Sequence, residues 1–399
     1  MVAGADSIDD MALLRHGGMK KTFQGCYAPS TLGSFLRAFT FGHVKQLDAV
    51  ASRLLISLAR NAPLFGTSSG EDFIFVDVDD TIIEVHGYLK QGSGYGYSGV
   101  RGLNAVLATA SREDTAPVII GQRLRKGAAN SARGAKKFVT EALGTLQRTT
   151  TAGPVLCRFD SAYYGHPAVS AALAGGADVS VTVPMNPAVR RAITAIDADA
   201  WTPIQYTNAV YDEESQAWVS AAEVAEIPFT AFSSRKKSER IPGRLVVRRI
   251  PELNPKAGQD QPTLFDTHRF HAFFTTVKAA TLDTVAADKV HRKHARIEQV
   301  NADLKDSALA HLPSGKFAAN SAWLVAAVMA YNLTRTAGIL AQGMFAKART
   351  GTIRTKPINV PARIASSARR QRLHLPDAWP WQTEWENLFT ATHAPPQAA

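Results

Sequence analysis

Phe73-Ile74-Phe75-Val76-Asp77-Val78-Asp79-Asp80-Thr81 is the stretch on which the reading of this chain turns. Four apolar residues followed by acids describe a strand that enters a core and ends in charge. Alternate side chains of an extended chain share a face, so Asp77 and Asp79 point one way and Asp80 the other. Carboxylates at the end of a buried strand are costly unless a cation offsets them. A divalent metal does this well, because hard cations take carboxylate oxygens. The plain alternative is a solvated acidic turn that caps a helix.

Strands and helices alternate downstream of that stretch. Residues 84–110 are rich in Gly and Tyr, as in strands joined by tight turns, and residues 116–120 read as another strand. Residues 131–146 form an amphipathic helix carrying Arg133, Lys136 and Lys137. Residues 154–159 are a second apolar strand, ending in Arg158-Phe159-Asp160-Ser161. A helix over 167–174, a strand over 179–183 and a helix over 187–196 complete an α/β core. Between 201 and 278 the helical period disappears. Short β-type runs at 216–219, 227–232, 245–250 and 269–275 imply a β-rich insertion. Helices resume over 284–309 and 316–340. The implied segments are a helical region 1–70, the core 71–200, the insertion 201–278, core helices 279–342 and a basic strap with a Trp-rich end 343–399.

The helix expected over 284–309 carries a third set of candidates. His291, His294, Glu298 and Lys305 are spaced by three, four and seven, so on one helix they line one face. Ile297, Val300, Leu304 and Ala308 form a neighbouring apolar stripe. A carboxylate among basic groups can ligate a metal while its neighbours hold phosphates. An exposed helix with ordinary ion pairs is the alternative. A zinc site on His291 and His294 lacks a third ligand.

Composition narrows the function classes. The chain has 399 residues, 45 Lys+Arg against 34 Asp+Glu and a net charge of +11, which suits a polyanionic partner. Its 45% hydrophobic content excludes general disorder. Two cysteines, Cys26 and Cys157, build no disulfide framework and point to a reducing compartment. The start carries acids and no apolar run, unlike a signal peptide. The most apolar window, 317–333, is interrupted by Asn320, Ser321 and Asn332, so it reads as a buried helix and no membrane partner is expected. The stretch 345–375 holds Lys347, Arg349, Arg354, Lys356, Arg363, Arg369, Arg370 and Arg372 and no acid, as in a basic hairpin that binds DNA. Trp379, Trp381 and Trp385 follow.

Taken together these residues resemble the DDE transposases of bacterial insertion sequences, in the branch with a β-strand insertion between the second Asp and the Glu. The signature of that branch is Tyr, two residues, Arg, three residues, Glu, six residues, Lys. The spacing recurs here at 291, 294, 298 and 305, with His at the first two positions. The resemblance implies a ribonuclease H-like catalytic core with Asp79, Asp160 and Glu298 as catalytic metal ligands. It implies two Mg²⁺ ions, with Mn²⁺ able to substitute. Lys305, His294, His291, Arg158, Arg125, Lys126, Arg369 and Arg370 would contact DNA. Partners would be double-stranded terminal inverted repeats and target DNA, in a dimeric complex, in the bacterial cytoplasm at the nucleoid. The segment before Asp72 is short for the family, which implies a reduced end-binding region. Trp201 and Trp218 could stack on a flipped base or lie in a core.

Two other readings stay beside it. The run Asp77-Val78-Asp79-Asp80-Thr81 also resembles haloacid-dehalogenase-like phosphatases, with Asp77 as nucleophile and Asp79 as general acid. The absence of a second acid close behind Asp160 counts against that family. The last reading is a decayed transposase that binds DNA without catalysis.

Overall fold

In the computed structural model the described residues are 1–22, 25–66, 72–87, 89–96, 98–149, 152–212, 217–251, 268–367 and 370–393. After a 3₁₀ helix at Asp9–Arg15 and a single helical turn at Met19–Thr22 come two longer helices, α1 (Pro29–Arg37) and α2 (Phe41–Asn61). Thr40 and His43 close a capping box at the start of α2, each side chain accepting the other's backbone N–H. Strands β1 (Ile74–Glu84), β2 (Gly94–Tyr95), β3 (Arg101–Ser111) and β4 (Val118–Lys126) follow, then helix α3 (Ala135–Gln147). Next come β5 (Val155–Phe159), α4 (His166–Ala174), β6 (Ala177–Thr182) and α5 (Pro187–Thr194). Four strands succeed them: β7 (Thr202–Asp212), β8 (Ala217–Ala231), β9 (Ile241–Pro251) and β10 (His268–Thr275). The chain continues through α6 (Thr284–Arg292), α7 (Arg296–Lys305) and α8 (Phe317–Ala341). It closes with β11 (Arg363–Ser367), β12 (Arg370–His374) and α9 (Gln382–His393). The protein is α/β, and three antiparallel strands followed along the chain by a helix and a parallel pair give a ribonuclease H-like succession.

Two compact units divide the chain. The first comprises Met1–Arg133, Glu141–Pro154 and Arg296–Ala399, and the second Gly134–Thr140 and Val155–Ala295.

In the first unit β3 lies between β1 and β4, all antiparallel. The acids do not end β1, as the sequence suggests. The strand runs on to Glu84, paired with β3 from Phe75↔Ser111 to Glu84↔Gly102. Thr81, Ile82 and Ile83 are β-branched and extend the pleated surface past the carboxylates. Gly127, just past β4, sits where backbone crowds most: a Cβ there would collide with the carbonyl oxygens of Gly94 and Gly102. Only glycine lets these segments approach so closely.

One face of this sheet is covered by α8, whose Ala319, Ala322, Trp323, Leu324, Ala327 and Val328 join Ile83, Leu103, Leu107 and Ile119 in a single core. By length and composition α8 could cross a membrane, yet most of it is buried inside the protein. The two asparagines that interrupt its apolar sequence are both spent on backbone. Asn332 accepts the Ile119 N–H (2.8 Å) and donates to the Ile119 carbonyl (2.8 Å). Asn320 accepts the Ser314 N–H (3.0 Å) and donates to the Ser314 carbonyl (2.8 Å). A buried amide satisfied in this way costs little, whereas an unsatisfied one is expensive.

In the second unit β5 and β6 are parallel, Val155↔Ala177 through Phe159↔Val181, with α4 as the crossover. The sheet continues antiparallel through β10, β9, β8 and β7. Residues 217–219 and 227–231 of the β-type runs expected at 216–219 and 227–232 belong to one strand, the 15-residue β8, residue 216 lies outside the described residues, and β7 has no counterpart in the sequence reading. Trp201 is packed: the Arg249 guanidinium lies 4.1 Å from its ring centre and Phe270 lies beside it. The Trp218 side chain is outside the described residues.

Beyond α8 the first unit ends in a hairpin and a helix. Trp381 meets Phe345 edge-on at 5.3 Å, and the Lys356 ammonium lies 4.2 Å from its ring centre. Asn332→Leu should remove two backbone partners at once and cost about 2–4 kcal/mol in a denaturant titration; a loss below about 0.5 kcal/mol would show that α8 holds β4 by apolar contact alone.

Candidate active site

The pleat of β1 separates its adjacent acids. On one face Asp80 accepts hydrogen bonds from Asn104 Nδ2 on β3 and from Arg125 Nη2 on β4 (3.1 Å). Arg125 also donates through Nε (2.9 Å) and Nη2 (2.8 Å) to Asn104 Oδ1. Its Nη1 reaches the carbonyls of Ser131 (2.8 Å), Asn130 (3.2 Å) and Arg133 (3.3 Å). All of its nitrogens are engaged inside the protein, so Arg125 clamps the loop after β4.

The other face carries Asp79. One carboxylate oxygen accepts the Asp80 N–H (2.7 Å) and the other accepts Asn301 Nδ2 from α7 (3.0 Å). Asn301 is buried, and its Oδ1 has no hydrogen-bond partner among the described residues. Turning the amide over would face its oxygen towards the Asp79 carboxylate, so one polar atom stays unmatched in either orientation. Lys305, one turn further along α7, also senses this carboxylate. Burial pushes its ammonium below the ordinary lysine range, and the charge of Asp79 pulls it back up.

Helix α7 is fixed at several points. Ile297, Val300 and Leu304 bury the stripe read from the sequence. Arg296 donates to the carbonyls of Arg112 (3.0 Å) and Glu113 (2.8 Å) beyond β3. Asp303 is buried and accepts both the N–H (2.9 Å) and the hydroxyl (2.7 Å) of Thr350. Between these anchors Glu298 is exposed in the first turn of α7. It precedes Asn301 by three residues, so it shares the side of the helix that meets Asp79. A continuous helix over 284–309 is not found. The chain tightens into a 3₁₀ turn at Lys293–Ala295, between α6 and α7.

The second unit holds the remaining candidates. Asp160 follows β5 and accepts the Ala162 N–H (3.1 Å), capping a short 3₁₀ turn. Arg158 is fully buried and donates to the Val290 carbonyl (2.7 Å). Its guanidinium is therefore enclosed within the second unit. His291 stacks on Phe273 at 4.1 Å, with its ring nitrogens 2.7 Å from the Ser180 hydroxyl and 3.0 Å from the Thr182 hydroxyl. Both nitrogens have partners within the unit, so His291 anchors α6. His294 is half-buried in the 3₁₀ turn. Lys126 and Arg370 are exposed, and Arg369 lies outside the described residues.

Among the described residues, no three His, Cys, Asp or Glu side chains form a group that could hold a metal ion by themselves. The donors that β1 and α7 do supply are oxygens: the Asp79 carboxylate and the orphaned Asn301 Oδ1, with Glu298 on the same helix. This chemistry suits a hard divalent cation better than zinc. Asn301 and Arg296 were not read from the sequence. The available signal for Asn301 was its place three residues after Glu298 and four before Lys305.

The profile of the transposase DDE domain group 1 family matches residues 1–395, so the chain belongs to that family. No curated protein matches it by sequence. Among solved structures, the chain is similar to the piggyBac transposase synaptic complex with hairpin DNA, at 9% identity and a TM-score of 0.35. That alignment covers 72% of this chain and spans about half (52%) of the piggyBac chain. At such a score the likeness carries no argument. The phosphatase reading falls with the family assignment, and Asp77, its required nucleophile, is 0% exposed.

Arg125→Ala should release the loop after β4, with cleavage appearing between residues 127 and 134 under limited proteolysis and a loss of about 2–3 kcal/mol. Arg125→Lys should not restore protection, since one ammonium cannot replace a fork that bonds several oxygens.

Proposed function

We propose that this transposase cleaves DNA strands at the terminal inverted repeats of a bacterial insertion sequence and joins the freed ends to target DNA. Asp79, Asp160 and Glu298 would be the carboxylates that hold two divalent ions, Mg²⁺ with Mn²⁺ able to substitute. The observation that carries the reading is Asp79, held from α7 by Asn301 in a chain whose family match runs almost end to end. When bound, the ions would polarise the attacking oxygen and stabilise the leaving one.

The chain's own residues have narrower tasks. Asn301 holds one oxygen of Asp79, and the Asp80 N–H holds the other, so the carboxylate is oriented before any ligand arrives. Lys305 places a positive charge next to it and could take a phosphate oxygen when DNA approaches. His294 and Lys126 are further phosphate contacts in this proposal, with Arg369 and Arg370 on the basic tail. Such contacts position a duplex without reading its sequence. Two ends must be handled together, which favours a dimeric complex on DNA, and the setting is the bacterial cytoplasm at the nucleoid.

The test uses the full chain, a duplex bearing the element's terminal repeats, and Mg²⁺, Mn²⁺ or EDTA. Strand cleavage should require metal and fall about 10³-fold or more in Asp79→Ala, Asp160→Ala and Glu298→Ala, each with an unchanged melting temperature. A Glu298→Ala protein that still cleaves would sink the assignment. Salt-sensitive DNA binding without cleavage under any metal would identify a decayed remnant instead.

A further inference from the structure

The β11–β12 hairpin sorts its side chains by charge. Its register pairs Arg363 with His374, Ala365 with Arg372 and Ser367 with Arg370. Residues paired across antiparallel strands share a face. Arg363, Arg370, Arg372 and His374 therefore project from one side, with only Ala365 and Ser367 between them. The other side carries Ile364, Ser366, Gln371 and Leu373. Ile364 is half-buried, with its Cδ1 beside Gly18 of the N-terminal segment, while Leu373 on the same side is 51% exposed. All four basic residues are exposed.

This arrangement is poor for stability. A two-stranded hairpin is marginal in water, and like charges on one face weaken it further. Neither strand supplies a carboxylate to offset the three guanidiniums. An anion on that face would reverse the repulsion, and the geometry limits which anion. Arg370 and Arg372 are two residues apart, about 6.8 Å along a strand. A row of guanidiniums at such intervals matches a ladder of phosphates better than a single small anion. The major groove, about 12 Å wide, admits a two-stranded ribbon of this kind.

We propose that the Arg363, Arg370 and Arg372 face of β11–β12 is a docking surface for double-stranded DNA that grips phosphates regardless of sequence. The proposal rests on the reading of the chain as a DNA-acting transposase, but it concerns a surface apart from Asp79 and Glu298. Each arginine neutralises one phosphate and releases its counterions, so each steepens the salt dependence of binding by about 0.9.

The test is fluorescence anisotropy with the full chain and a 30-base-pair duplex lacking terminal repeats (roughly three helical turns), in EDTA. Salt is varied from about 50 to 200 mM. The triple variant Arg363→Ala, Arg370→Ala, Arg372→Ala should lower the slope of log K against log salt by about 2.7. Wild-type affinity should accordingly fall ~40-fold more than the variant's over this range. Asp79→Ala should keep the wild-type slope. A slope unchanged in a triple variant that retains its melting temperature overturns the proposal. So does a variant that keeps DNA binding but loses binding to phosphatidylserine vesicles, which would make the face a lipid contact. A normal slope change with no metal-dependent cleavage would support this surface while refuting the catalytic reading.

Discussion

Much of the first unit depends on one side-chain amide. Asn332 forms both hydrogen bonds that the backbone of Ile119 offers at the outer edge of β4, and it does so from within a helix buried along most of its length. An edge strand normally presents such groups to water or to another strand. Here a helix takes the place of the next strand, which sets the height and rotation of α8 against the sheet. Helix α2 then packs on α8, and the core that includes Ile297, Val300 and Leu304 of α7 closes around it. The position of Glu298 therefore rests on an asparagine more than thirty residues further along the chain.

The second organising constraint is the period of two in β1. Asp79 and Asp80 are neighbours in sequence and lead separate lives. Asp80 is tied into a network with Asn104 and Arg125 that organises the loop after β4. Asp79 faces α7, where a neutral amide and a partly buried ammonium meet it. A one-residue slip of β1 against β3 would exchange these roles, and the continuous pairing from Phe75 to Glu84 resists such a slip.

Some of this was legible from the residues alone. The apolar run before Asp77, the apolar stripe on α7 and the buried character of α8 all follow from spacing, because core burial imposes a period that a sequence displays. Helix continuity through Lys293–Ala295 was not legible. Nothing in the local sequence breaks the helix; the chain turns there while His291 and Arg296 are each held by partners remote in sequence. The internal bonds of basic residues were hidden for a related reason. Arg125 and Arg158 look like surface charges on a positively charged chain, and only the fold shows that their hydrogen bonds close on internal carbonyls. A guanidinium is informative about partners only once its exposure is known. The basic hairpin was anticipated as a segment, while the sorting of its arginines onto one face emerged from the register.

The bond between Asp303 and Thr350 has a bearing on how a gene of this kind can decay. Asp303 lies on the helix that presents Glu298, and its enclosed carboxylate accepts both the N–H and the hydroxyl of Thr350. A frameshift or stop codon falling after α8 but before Thr350 would leave every proposed catalytic residue encoded. It would also leave a buried negative charge stripped of those donors in the last turn of the helix, a defect costing several kcal/mol. The tail that looks dispensable on a linear map is thus part of the foundation of α7, and shortened copies would be expected to fail by misfolding well before any of the proposed acids is lost.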